Sequence, residues 1–68
     1  MKEFVIEVFK AGKVGTDTEH VVQVTMKVLG KVVDKVQLPG GDFKNAKGMA
    51  EGLKAMADSG IDLMQLIP

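Results

Sequence analysis

The feature that most constrains this chain is a two-residue alternation of apolar side chains that keeps its phase through three successive segments. Phe4, Ile6 and Val8, then Val22, Val24, Met26 and Val28, then Val32, Val36 and Leu38 all occupy even positions. A strand turns successive side chains to opposite faces, so each segment reads as a β-strand with one apolar side. Opposed residues of an antiparallel pair share a face, so hairpins of matching register bring all of these residues to one side of a sheet. After Leu38 the period changes. Ala46, Met49, Ala50, Leu53, Met56 and Ala57 recur every three or four positions, which is the stripe of an amphipathic helix. The predicted fold class is α+β, with a three-stranded antiparallel β-meander followed by one helix packed on one sheet face, in a single domain over 1–68.

The element boundaries follow from turn chemistry. Strand one runs from about Lys2 to Lys10, and Ala11 to Thr18 forms a polar loop longer than the two to five residues usual in hairpins. Strand two spans about Glu19 to Leu29. A three-residue loop of Leu29, Gly30 and Lys31 sets Val28 opposite Val32, Val24 opposite Val36 and Val22 opposite Leu38, whereas a two-residue loop breaks that agreement. Asp34 is the exception, since it falls opposite Met26 on the apolar side. A strand edge, a bulge at Val32–Val33 or a helix lysine would each accommodate it. Pro39-Gly40-Gly41-Asp42 is a turn ending in a helix N-cap, and Gly60 is a natural left-handed stop after Ser59. The C-terminal tail from Ile61 to Pro68 is rich in large apolar residues that need shelter. A fourth strand, a further helical turn or an arm on a second subunit would provide it. Strand or arm is favoured, because Gly60 breaks the helix and no new N-cap pattern is clear.

Size and charge narrow the function classes. A chain of 68 residues buries only about 60% of the surface its unfolded form exposes. With no Cys there is no disulfide or thiolate zinc site to compensate, which leaves association with other chains as the remaining staple. Nine basic and nine acidic residues cancel, removing the whole-molecule attraction that nucleic-acid and membrane binders use. The N-terminus carries charges inside its apolar run, so it is neither a signal peptide nor a membrane span, and a cytoplasmic location is expected.

No segment supplies recognisable chemistry. Thr16-Asp17-Thr18-Glu19-His20 gathers two carboxylates and the single imidazole, but without a second His or a Cys it reads as a solvated loop entering a strand. No group at a telling distance makes His20 part of a triad. Ala11 to Thr16 has the residue types of a phosphate loop in the wrong order, and it joins two strands. The expected protein is therefore non-enzymatic, with no cofactor and no metal. Gly48, Gly52, Ala55 and Ser59 form a small-residue strip on the helix, suited either to close packing on a partner helix or on the chain's own sheet, or reflecting a marginal helix.

What remains is surface. Val5, Phe9, Val21, Leu29 and Val33 make an apolar patch on the outer sheet face, and with Leu63 and Leu66 of the tail they are the expected oligomer interface. The leading expectation is a small protein–protein interaction or assembly module, functioning as a homodimer or within a larger assembly. The alternative is a nucleic-acid-binding module using Gln23, Thr25, Lys27, Lys31 and Lys35. In topology alone the chain is similar to small integrase-type DNA-binding domains and, with a tail strand added, to the first part of a ribonuclease-H-like fold. The paired acidic residues of the nuclease and the basic surplus of the DNA binders are not matched.

Overall fold

Three antiparallel strands form one open sheet in the computed structural model, which describes residues 2–10 and 19–67. Strand β1 is Lys2–Lys10, β2 is His20–Val28 and β3 is Lys31–Gly41, with β2 in the middle. Helix α1, Phe43–Asp58, lies on one sheet face, and a short helix α2, Leu63–Leu66, closes the chain. The α+β class and the meander-then-helix order are as the alternation requires.

Phase is kept by a different device from a three-residue loop. Val28 pairs with Lys31 across a two-residue turn, and Leu29 and Gly30 carry φ of 53° and 79°. Two positive φ values are what a type I′ hairpin uses. That turn alone would reverse the faces of β3, but a register shift between Met26 and Lys27 sets Lys27 opposite Val32 and Met26 opposite Asp34, leaving Val33 as the extra residue of a bulge. Beyond the bulge Val36 and Leu38 face Val24 and Val22. Before it, Val32 shares the outer face with Lys27, and Lys31 takes the helix side. The left-handed region costs an ordinary L-residue roughly 1–2 kcal/mol, and Asn tolerates it better. Leu29→Asn is therefore expected to raise stability by about 1 kcal/mol in urea unfolding; an unchanged midpoint would mean that Leu29 bears no strain.

Both ends of α1 are closed by capping hydrogen bonds. Asp42 Oδ1 accepts from the Asn45 N–H at 2.7 Å, as an N-cap should. At the other end Gly60 has φ 90°, its N–H reaches the Ala57 carbonyl, and the Ile61 N–H reaches the Met56 carbonyl at 3.1 Å. These two bonds make a Schellman motif. Ala46, Ala50 and Leu53 form the buried face of α1, against Ile6, Val22 and Val24 of the sheet. Met56, in the predicted stripe, is 37% exposed and lies at its margin. The small-residue strip points elsewhere: a Cβ added at Gly48 or Gly52 would meet nothing within 4 Å, so neither glycine serves packing on the chain's own sheet.

The tail is neither a fourth strand nor an extended arm. The Schellman turn redirects the chain, Asp62 caps a new helical turn by accepting from the Met64 N–H at 3.1 Å, and Leu63 inserts into the core with no exposed surface. Burial of Leu63 in its own subunit removes it from the expected oligomer interface. Met64 and Ile67 pack on the same cluster, while Leu66 is 54% exposed.

Candidate interaction surface

The sheet face opposite α1 is built of four cross-strand rows set by the register. Phe9, Val21 and Pro39 form the row at one end; Glu7, Gln23 and Gln37 the next; Val5, Thr25 and Lys35 the third; Glu3, Lys27 and Val32 the last. Its first row is apolar, its middle is largely polar, and in its last row Val32 alone is apolar beside Glu3 and Lys27. Phe9 is 43% exposed, and Val32 and Val33 are about half exposed. Val5 and Val21 are half-buried between their neighbours. Leu29 sits at the tip of the β2–β3 hairpin and is 86% exposed, so the expected patch is two separate apolar areas with a polar band between them.

The polar band is bonded to itself. Gln37 Nε2 donates to Gln23 Oε1 at 3.1 Å, and Gln23 Nε2 donates to the hydroxyl of Thr25 at 3.4 Å. Thr25 is buried in the middle strand. One N–H of each glutamine amide is thus engaged within the face. Its charges also balance, with Glu3 and Glu7 on β1 facing Lys27 and Lys35 on the other two strands. Lys31, grouped by sequence with these lysines, lies on the opposite side of the sheet because the bulge comes after it.

The remaining candidate side chains have structural duties. His20 Nδ1 lies 3.1 Å from the Gly41 carbonyl oxygen and its ring stands 5.6 Å from that of Phe43, which ties the start of β2 to the strand–helix turn. Thr16, Asp17 and Thr18, and the whole Ala11–Thr18 loop, lie outside the described residues. Among the described residues no three His, Asp or Glu side chains are grouped to hold a metal ion. Ser59 Oγ donates to the Ala55 carbonyl at 3.0 Å. An open depression at the start of α1, lined by Asp42, Lys44, Asn45, Gly48 and Met49, has no enclosing wall opposite the helix. No described helix is long and apolar enough to cross a membrane.

One ion pair was not legible in the sequence. Lys2 Nζ bonds Asp62 Oδ2, joining the first strand to the cap of α2 across nearly the whole chain length. The hydrogen bond from Lys2 holds the Asp62 carboxyl below the ordinary aspartate value of 3.8; the Met64 N–H and the Lys2 charge add to the lowering, and partial desolvation opposes it. A depressed folded-state pKa stabilises fully above the unfolded value and loses that effect as pH falls through the folded one. The docking of α2 is therefore expected to loosen in acid, below the ordinary value of 3.8. The signal to follow is amide exchange at Met64 and Ile67, compared with Asp62→Asn. Equal acid sensitivity in the two proteins would remove Asp62 as the cause.

Comparison with family models, with curated proteins and with solved structures finds no match to this chain.

Proposed function

We propose that this chain is a small, non-enzymatic assembly module that associates with copies of itself. The observation that supports this reading is a single sheet layered on one side only. α1 and α2 cover the face bearing Ile6, Val22 and Val24, and among the described residues nothing lies over the rows bearing Phe9 and Val32. Domains are normally built from layers that hide their apolar faces from water, and a small chain reaches that condition most directly by sharing layers with another copy. The balanced charge and self-bonded polar band of the open face favour protein over phosphate backbone as its partner. A molar mass rising from one chain to two or more with concentration, by sedimentation equilibrium, is the expected result. A single-chain mass up to millimolar concentration would end this reading.

A further inference from the structure

The two edges of the sheet are not equivalent, and the difference points to where a second copy binds. Natural sheets blunt an exposed edge with proline, with a bulge, or with charges turned toward the core. β3 has all three: Pro39, which offers no N–H, the bulge at Val33, and Asp34 within the strand at a position on the helix side. β1 has none within its span. It runs nine residues without Pro, Gly or a register shift, and its only charges on the helix side are Lys2 and Lys10 at its two ends. Among the described residues no main-chain hydrogen bond reaches β1 from any element except β2. In an antiparallel pair alternate residues turn their N–H and C=O groups away from the partner strand, so from Lys2 to Phe9 β1 presents a regular row of main-chain groups that no other described element bonds.

We infer that β1 pairs antiparallel with β1 of a second copy across a two-fold axis normal to the sheet, giving one continuous six-stranded sheet. This rests on the self-association proposed above and places the contact at the sheet edge, so the face bearing Phe9 and Val32 stays open in the pair. A two-fold axis normal to the sheet keeps each face on its own side, so even positions meet even positions and both helices cover the same face. Three centres come into question, and like charge decides among them. Centring on Val5 sets Glu3 against the partner's Glu7, twice by symmetry. Centring on Glu7 sets that residue against itself. Centring on Ile6 pairs all nine residues and opposes no carboxylates: Ile6 meets Ile6, Phe4 meets Val8, and each glutamate meets Phe9 or Val5. Its one like-charge pairing, Lys2 with Lys10, falls at the strand ends, where Lys2 is already held by Asp62. Phe4 and Val8, half-buried at the margin of the core, gain cover from this arrangement. Both β1 edges are consumed and only the blunted β3 edges remain, so assembly through strand edges closes at two.

Amide hydrogen exchange on the full chain, read beside its mass, tests the site. If β1 pairs with its copy, the amides of β1 that exchange freely at low concentration slow by about tenfold or more once the dimer forms, since those groups are then bonded on both sides. Isotope-filtered NOEs in a mixed-label sample then connect Phe4 with the partner's Val8. Val33→Lys, at the exposed bulge of β3 and far from β1, is expected to keep the dimer mass. A dimer whose alternate β1 amides still exchange freely, or one dissolved by Val33→Lys, overturns the edge pairing while leaving self-association intact. A single-chain mass at every concentration overturns both and leaves the β1 edge open to a strand of another protein.

Discussion

Truncating Leu63 to Ala is expected to lower stability by about 2 to 5 kcal/mol, the range for deleting most of a fully buried leucine. A chain of this size has a total of only about 3 to 10 kcal/mol, at roughly 0.05 to 0.15 kcal/mol per residue, so the change removes a large share of it. Leu63 has no exposed surface and lies in the same cluster as Ile6, Val22, Val24 and Leu53, where a cavity cannot be filled by water without leaving apolar walls wet. Deleting all residues after Gly60 is expected to unfold the chain or drive it to aggregate. Leu66→Ala serves as the control, since that side chain is 54% exposed and exposed substitutions usually change stability by less than about 0.5 kcal/mol. Urea unfolding of the three variants decides the matter. A Leu63→Ala loss below about 1 kcal/mol would mean that the α2 turn does not fill the core.

Gly40→Ala is the second large effect, with an expected cost of about 1 to 3 kcal/mol from overpacking. A Cβ at this position would stand 2.8 Å from the Cβ of Ala46 and 3.3 Å from the carbonyl oxygen of His20. Neither neighbour can swing aside, because one is borne directly on the backbone of α1 and the other belongs to the backbone of β2. The glycine therefore sets the distance at which the helix start approaches the sheet. That junction also carries the 2.6 Å bond from Asn45 Nδ2 to the Gly40 carbonyl. Coupling to Ala46→Gly supplies the check. The double variant should be more stable than the two single losses predict, because the contact that causes the strain is gone. Simple additivity would show that the strain lies instead with the main-chain neighbours, the Ala46 Cα and the His20 carbonyl oxygen, each 3.3 Å away.

The parts of the fold that were legible in the sequence are those fixed by neighbours along the chain. The parity of Ile6, Val22 and Val24 reports a half-buried sheet because a strand has no other way to hide alternate residues. Asp42 and Gly60 report the ends of α1, since capping needs an acceptor and a left-handed residue at fixed offsets. The hairpin was harder. Gly30 marks the turn, but Leu29 in a left-handed conformation runs against its local preference, and the bulge that repairs the register is a joint property of β2 and β3. Asp62 could have been read as a cap from its place just ahead of Leu63, yet the apolar run behind it suits a strand equally well.

The candidate surface divides in the same way. Its outer-face residues follow from parity alone, which is why Val5, Phe9, Val21, Gln23, Thr25, Lys27 and Lys35 lie on one side. Tertiary structure decided which of the remaining candidates join them. It moved Lys31 to the helix side, buried Leu63, bonded Gln37 to Gln23 and Gln23 to Thr25, and linked Lys2 to Asp62. The physical reason is range. Alternation and capping act over two to four residues and are written in order along the chain, whereas register shifts, docking of α2 and ion pairs depend on how close distant segments come once the core has formed.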